Sequence, residues 1–242
     1  MADGAPPRDG LRVTFNPLVT CGQCDRCAAG FSNLCRKRQL IGAHRPGAFA
    51  RYVAVPAAQC WPLPEGLSAS AGSLAEPLAC SLRSARLAGA VPGKRLLILG
   101  AGPIGLLALA AAREAGAGEV WITDVADSRL ETGRRWGAAR AINAKTADVV
   151  TAVQEAVPGG VDAALDAVGS DITRSQAIQS VMPGGRVVFI GLHEEESRLP
   201  ANLVVRNEIV ITGSFGYTNE DFGAALGLLA RGVVGAGGDW VE

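Results

Sequence analysis

A chain of 242 residues has room for one large domain or two modest ones with a real core. Lys plus Arg and Asp plus Glu balance at 23 each, with no long basic run. That balance argues against electrostatic capture of nucleic acid or of an anionic membrane.

The first residues, MADGAPPRDG, are polar and lack the apolar core of a signal peptide. One strand-like run, Leu11 to Phe15, leads into a cysteine loop that ends at Cys35. Between Ile41 and Pro64 come short extended segments such as FARYVAV, broken by Pro46, Gly47 and Pro56. They predict a small β-rich lobe. The stretch 68–89, with serines at its start and Gly89 near its end, predicts one connecting helix.

From Lys94 the pattern becomes a strict alternation of strand and helix. Strands are expected at 95–100, 119–124, 139–143, 161–168, 185–191 and 208–214. Ala-rich helices are expected at 103–115, 127–137, 145–157, 171–181 and 219–231. With abundant Gly, few aromatics and Val, Ile and Leu in the strands, this predicts an α/β fold with a doubly wound parallel Rossmann sheet. The longest apolar stretch, Leu96 to Ala112, is interrupted by Gly100, Gly102, Pro103 and Gly105. It falls short of the roughly 20 residues a bilayer span needs, so a soluble, cytoplasmic protein is expected.

Gly100-Ala101-Gly102-Pro103-Ile104-Gly105 directly follows an apolar strand and opens a helix. In that context the first Gly makes the tight turn, the second lets a pyrophosphate approach the backbone, and the third allows close helix–strand packing. Asp124 ends the next strand, where a carboxylate binds the adenosine ribose and repels a 2′-phosphate, which favours NAD over NADP. Arg129 either covers the adenine face or sits on the helix surface.

Cys21, Cys24, Cys27 and Cys35 are spaced C-x2-C-x2-C-x7-C. Four thiolates in one loop suit a closed, structural tetrahedral zinc site. A ferredoxin-type cluster wants its fourth Cys after three residues, a disulfide is disfavoured in the cytoplasm, and a redox C-x-x-C belongs beside a thioredoxin-type unit. Cys60 and Cys80 read as buried small hydrophobes. The two histidines, His44 and His193, sit in no ligand-like cluster.

The cysteine loop, the EPLA segment and the GAGPIG motif together resemble the zinc-containing medium-chain alcohol and polyol dehydrogenases, in particular the branch of sorbitol, threonine and butanediol dehydrogenases. The stretches that carry the likeness are 16–35, 47–57, 74–82, 100–107 and 213–226. The resemblance implies hydride transfer between a secondary alcohol and NAD⁺, a structural zinc on the four cysteines, and a dimer or tetramer. It places Glu76 where the family provides or backs a ligand of a second, catalytic zinc. Its bland alternative is a carboxylate favoured by a helix N-terminus. Val168, Gly169, Ile190, Gly191 and Leu192 match backbone that faces the nicotinamide.

The domain organisation implied is a partial catalytic, GroES-like lobe with the zinc loop at 1–88, an NAD-binding Rossmann domain at 89–232, and the start of a return to the catalytic lobe at 233–242. Family members carry a catalytic Cys and a Gly-His-Glu segment upstream of the cysteine loop, so a chain shortened at both ends is expected. Glu76 alone cannot hold a catalytic zinc, which takes three protein ligands. Two alternatives therefore stand beside the dehydrogenase: an NAD-binding short form with redox-neutral or zinc-independent chemistry, and a non-catalytic nucleotide-binding or oligomerisation module.

Overall fold

The computed structural model describes residues 9–234; most of the expected return segment, 235–242, lies outside the described residues. The described chain divides into two compact units, residues 9–80 with 215–234 and residues 81–214.

The first unit opens with β1 (Val13–Phe15), β2 (Leu18–Val19), the single-turn α1 (Asp25–Ala28), β3 (Gln39–Leu40) and β4 (Cys60–Pro62). β1 pairs antiparallel with β4, Thr14 opposite Trp61, and β2 pairs antiparallel with β3, Leu18 opposite Leu40. FARYVAV forms no strand, and its Phe49 and Tyr52 are exposed. Alternation of apolar residues gives a segment strand propensity, but the ladder also needs a partner for the backbone groups. No strand pairs with these residues in the described chain.

The expected single helix over 68–89 is two, α2 (Ala69–Ser73) and α3 (Ala75–Ala88). Pro77 explains the break. It has no N–H to give the Ser73 carbonyl, so the i→i−4 ladder lapses at that point and resumes with Leu78 N donating to Leu74 O at 3.0 Å. Ser68 caps α2, its hydroxyl accepting from Ala71 N at 3.0 Å.

The second unit follows the expected alternation: β5 (Arg95–Leu99), α4 (Pro103–Glu114), β6 (Glu119–Asp124), α5 (Asp127–Arg135), β7 (Arg140–Asn143), α6 (Val149–Ala156), β8 (Val161–Asp166), α7 (Asp171–Ser180), β9 (Val181–Phe189), α8 (Ala201–Arg206) and β10 (Val210–Gly213). All six strands are parallel in the order β10-β9-β8-β5-β6-β7. β5 thus lies between β6, its successor, and β8, so the strand order reverses there and opens a crevice at the carboxyl ends. Leu97, Leu99, Trp121, Val153 and Val187 are among the fully covered side chains of the sheet core.

Two details depart from the expected pattern. β9 starts at Val181, four residues early, because a bulge lets Val161 pair with Val181 before Ala163 pairs with Arg186. α8 follows Pro200 in a stretch too short for helical periodicity to show.

The chain then returns to the first unit as α9 (Asn219–Ala230). A capping box starts it: Asp221 N donates to Thr218 Oγ1 at 3.3 Å, and Thr218 N donates to Asp221 Oδ2 at 3.0 Å. Phe222, fully buried, packs against Trp61 and Tyr217 at ring-centroid distances of 5.5 and 5.7 Å. Burial of such a ring stabilises by about 2–3 kcal/mol.

Candidate functional site

At the carboxyl end of β5 the glycine loop turns into α4. Gly102 is the N-cap and Pro103 the first helical residue, where its missing N–H is no loss. No side chain caps this end, so the first N–H groups and the positive end of the helix dipole are free for an anion. A Cβ at Gly102 would meet nothing within 4 Å, whereas one at Gly105 would strike the Gly100 carbonyl oxygen. The open position and the packed one match the roles read from the sequence. The Ile104 carbonyl accepts the Ser81 hydroxyl at 3.0 Å.

Asp124, at the end of β6, is 8% exposed. Its Oδ2 accepts from Ala101 N at 2.8 Å, which ties it to the glycine loop, and its Oδ1 accepts from Val125 N at 2.8 Å and Ala126 N at 2.9 Å. Arg129 Nη1 stands 3.7 Å from Oδ2 with its side chain more than half exposed.

The loops after β8 and β9 meet. Gly169 has φ +87°, and a Cβ there would strike the backbone of Gly191, so both the conformation and the close approach require glycine. Asp166, missed by the sequence reading, holds the two loops together. Its carboxylate accepts from Val168 N at 3.0 Å and Gly169 N at 3.1 Å, and its carbonyl accepts from Ile190 N and Gly191 N, each at 3.0 Å. Burial pushes this carboxyl up, and the Gly169 and Val168 N–H groups oppose the shift. An acidic residue closing a buried strand, directly before the Ala-Val-Gly turn, was the available signal. Leu192 projects outward, 84% exposed.

In the first unit, the ligand sulfurs of Cys21, Cys24, Cys27 and Cys35 all lie within 4.8 Å of one another. Sulfur–sulfur separations are 3.6 Å for Cys24–Cys27, 3.9 Å for Cys24–Cys35 and 3.5 Å for Cys35–Cys21. A tetrahedral zinc with Zn–S near 2.3 Å has edges of about 3.8 Å, so the donor set fits that ion. Cys21 N and Lys37 N each donate to Cys35 Sγ at 3.3 Å. Backbone N–H groups of Cys27 and Arg36 lower the Cys24 thiol to about 6, while desolvation raises Cys27 to about 12. Outside the cluster Arg36 forks onto Asp25, Nε to Oδ1 at 2.7 Å and Nη2 to Oδ2 at 3.0 Å, and depresses that carboxyl.

The cysteine loop is anchored within its unit by buried Asn33, whose Nδ2 donates to the Phe215 carbonyl at 2.7 Å, and by Arg38, whose guanidinium lies 4.6 Å from the Phe215 ring centre. Two residues on, the Tyr217 hydroxyl is buried with no partner at hydrogen-bond distance. It lies near enough to Glu76 to act on its carboxyl, and Cys80 Sγ is 3.7 Å from Glu76 Oε1. Burial raises the Glu76 carboxyl above its ordinary value, opposed by Tyr217 and Cys80. Burial also raises Cys80 and Tyr217, reinforced by the Glu76 charge. Asn33 and Tyr217 lay beyond sequence reasoning, since their partners are remote in the chain.

Glu76 lies in the first unit and the dinucleotide residues in the second. Among the described residues the four cysteines are the only group of three or more His, Cys, Asp or Glu able to share a metal. Also among the described residues, no helix is long and apolar enough to cross a membrane.

Comparison with known proteins gives matches to the family described as zinc-binding dehydrogenase over residues 103–231 and to the alcohol dehydrogenase GroES-like domain over residues 4–65. L-threonine 3-dehydrogenase of Chromobacterium violaceum is 36% identical over 86% of this chain, and sorbitol dehydrogenase of Bacillus subtilis 34% over 93%. The chain spans 61% and 64% of those proteins' lengths. A zinc-binding dehydrogenase from Sinorhizobium meliloti, solved with NADP, superposes with TM-score 0.88 at 35% identity, covering 94% of this chain and 69% of that one. L-idonate 5-dehydrogenase from Escherichia coli gives 0.88 at 30% identity, covering 95% and 67%. With one family match running through 103–231 of the 242 residues, this chain belongs to the zinc-binding, medium-chain alcohol and polyol dehydrogenase family.

Proposed function

We propose that the chain transfers hydride between a secondary alcohol or polyol and NAD. One observation carries this: an uncapped helix N-terminus, a buried acceptor carboxylate and two glycine-lined loops converge at the carboxyl ends of β5, β6, β8 and β9. Bound NAD supplies the hydride acceptor, and the chain binds and orients it. Gly102, Ile104 and Gly105 present N–H groups to the pyrophosphate, Gly102 leaves it open space, Pro103 opens the helix and Gly100 makes the turn. Asp124 has about four acceptor positions, of which backbone N–H groups take three. The fourth serves a ribose hydroxyl, and the carboxylate charge disfavours a 2′-phosphate, so NAD is preferred to NADP. Arg129 flanks the adenine, and Val168, Gly169, Ile190, Gly191 and Leu192 border the nicotinamide.

Cys21, Cys24, Cys27 and Cys35 hold a structural zinc that fixes the loop. Glu76 is the catalytic carboxyl in this reading; burial favours its neutral form and lets it hold a proton. In domain terms, the GroES-like lobe comprises 9–80 with 215–234 and the NAD-binding domain 81–214, so the return begins earlier than the expected 233 and the linking helix α3 is divided between the two. The assembly proposed is a cytoplasmic homodimer or homotetramer.

A second reading is favoured by the lack, among the described residues, of metal-sharing partners for Glu76. It is an NAD-binding chain with redox-neutral or zinc-independent chemistry, or a non-catalytic nucleotide module. Zinc analysis and NADH formation followed with a panel of polyols separate the two. Two zinc ions per chain with polyol-dependent NADH formation support the zinc-dependent dehydrogenase, and turnover with one zinc per chain favours the zinc-independent short form. NADH binding without turnover leaves the second reading, and absence of any dinucleotide binding defeats both.

A further inference from the structure

Beyond the residues that border the dinucleotide, the geometry points to Arg174 as the positioning residue for the nicotinamide half of the cofactor. It acts by clasping the two loops that receive it. This rests on the cofactor placement proposed above.

Arg174 stands one turn into α7, and its side chain is only 12% exposed. From there the guanidinium reaches three elements of the same unit. Nε lies 4.0 Å from Oδ2 of the fully buried Asp166, at the end of β8. Nη2 donates to the Gly191 carbonyl at 3.4 Å, in the loop after β9, and Nη1 donates to Ser197 Oγ at 2.7 Å, further along that loop. The cation also sits 5.8 Å from the centre of the Phe189 ring, at the last residue of β9. Nε is buried without a hydrogen-bond partner, so the Asp166 charge is what compensates it. A planar fork that spans a carboxylate, a carbonyl and a hydroxyl is work a lysine does only in part.

The loop beyond Gly191 is fastened at both sides of this contact. Glu194 N donates to the Gly169 carbonyl at 2.9 Å, and Glu194 Oε2 accepts from Asp171 N at 2.7 Å at the start of α7. Arg198 N donates to Asp171 Oδ1 at 2.6 Å. These bonds settle the outer part of the loop. The inner part, Gly191 against Gly169, is set by Asp166 and Arg174 together. In a doubly wound sheet the first half, here with Gly102 and Asp124, takes the adenosine side, and the second half takes the other nucleoside. A fault in the clasp therefore falls on one end of the cofactor.

Two probes read this out: NADH, through its nicotinamide fluorescence, and ADP-ribose, which lacks the nicotinamide, through calorimetry. Arg174→Met keeps the aliphatic stem and removes the fork; the loss of about one hydrogen bond in positioning weakens NADH about three- to tenfold. ADP-ribose affinity stays within about twofold, and Arg174→Lys recovers part of the NADH loss. Equal weakening of both probes, or no change in either, overturns the assignment and leaves the cofactor site standing. A wild-type chain that binds neither probe overturns the cofactor placement itself. Should Arg174→Met fail to fold by its thermal melt, Ser197→Ala removes one prong of the fork. It is expected to give the same NADH-selective loss on a smaller scale, and an unselective effect or none overturns the assignment.

Discussion

Gly102 and Gly105 sit one turn apart in the same motif, yet substituting each by alanine should damage different properties. At Gly105 the new Cβ would strike the Gly100 carbonyl oxygen and lie 2.9 Å from the Gly100 carbonyl carbon. The obstacle is backbone, which cannot rotate aside, so overpacking costs near the top of its usual range, about 3 kcal/mol. Alanine returns about 1 kcal/mol of helix propensity. The net expectation is a loss of about 2 kcal/mol, read by urea denaturation. At Gly102 the Cβ meets nothing within 4 Å, and the N-cap change from Gly to Ala costs below about 1 kcal/mol. That Cβ instead occupies the space through which a pyrophosphate would reach the backbone. Losing one hydrogen bond to a charged group costs about 1.5–3 kcal/mol, or about ten- to a hundredfold in NADH affinity by fluorescence titration. A Gly105→Ala chain as stable as wild type, or a Gly102→Ala chain with unchanged NADH affinity, would refute the division of roles.

Asn33→Ala should cost about 1–3 kcal/mol, because it strips the Phe215 carbonyl of its buried donor. Hydrogen exchange should show the loss of protection concentrated at 215–217, and an even loss across the chain would contradict the anchor. Glu76→Gln removes a charge that burial disfavours and keeps an acceptor for Cys80. Because the folded carboxyl is raised, its contribution is fully present below the ordinary Glu value of about 4.3 and is lost as pH rises through the folded value. The variant should thus melt higher than wild type at neutral pH, with the gap closing on acidification; a gap independent of pH would count against the buried charge. Asp124→Asn should narrow the preference for NADH over NADPH by about tenfold in paired titrations, since it removes the repulsion of a 2′-phosphate. An unchanged ratio would place the discrimination elsewhere.

The sheet-bearing unit was legible because its signals are local. Each strand is a short apolar run followed within a few residues by Gly, Pro or an N-cap, and β5, β6 and α4 lie within a residue or two of the expected spans. The positions of the glycine turn, of Asp124 at the end of β6 and of the clustered cysteines were legible for the same reason, since spacing carries them. FARYVAV misled because alternation reports what a segment could do beside a partner strand, and none pairs with it in the described chain. Pro77 was visible in the sequence, yet its effect on the Ser73 carbonyl emerges only when the helix is built. Asp166, Arg174, Asn33 and Tyr217 work through partners in other elements, and no periodicity in one chain reveals those pairings.

The first unit is assembled from two stretches separated by the whole of residues 81–214. Asn16 donates to Asn219 Oδ1 at 2.9 Å, and Asn33 waits for Phe215. During synthesis the earlier stretch must therefore idle while the intervening chain is made, about 7–27 s at roughly 5–20 residues per second. The cysteine loop is the part that needs no such wait. All four sulfurs come from 21–35, so a metal ion can close the loop as soon as it leaves the ribosome and keep its thiols out of oxidative side reactions until its distant partners arrive.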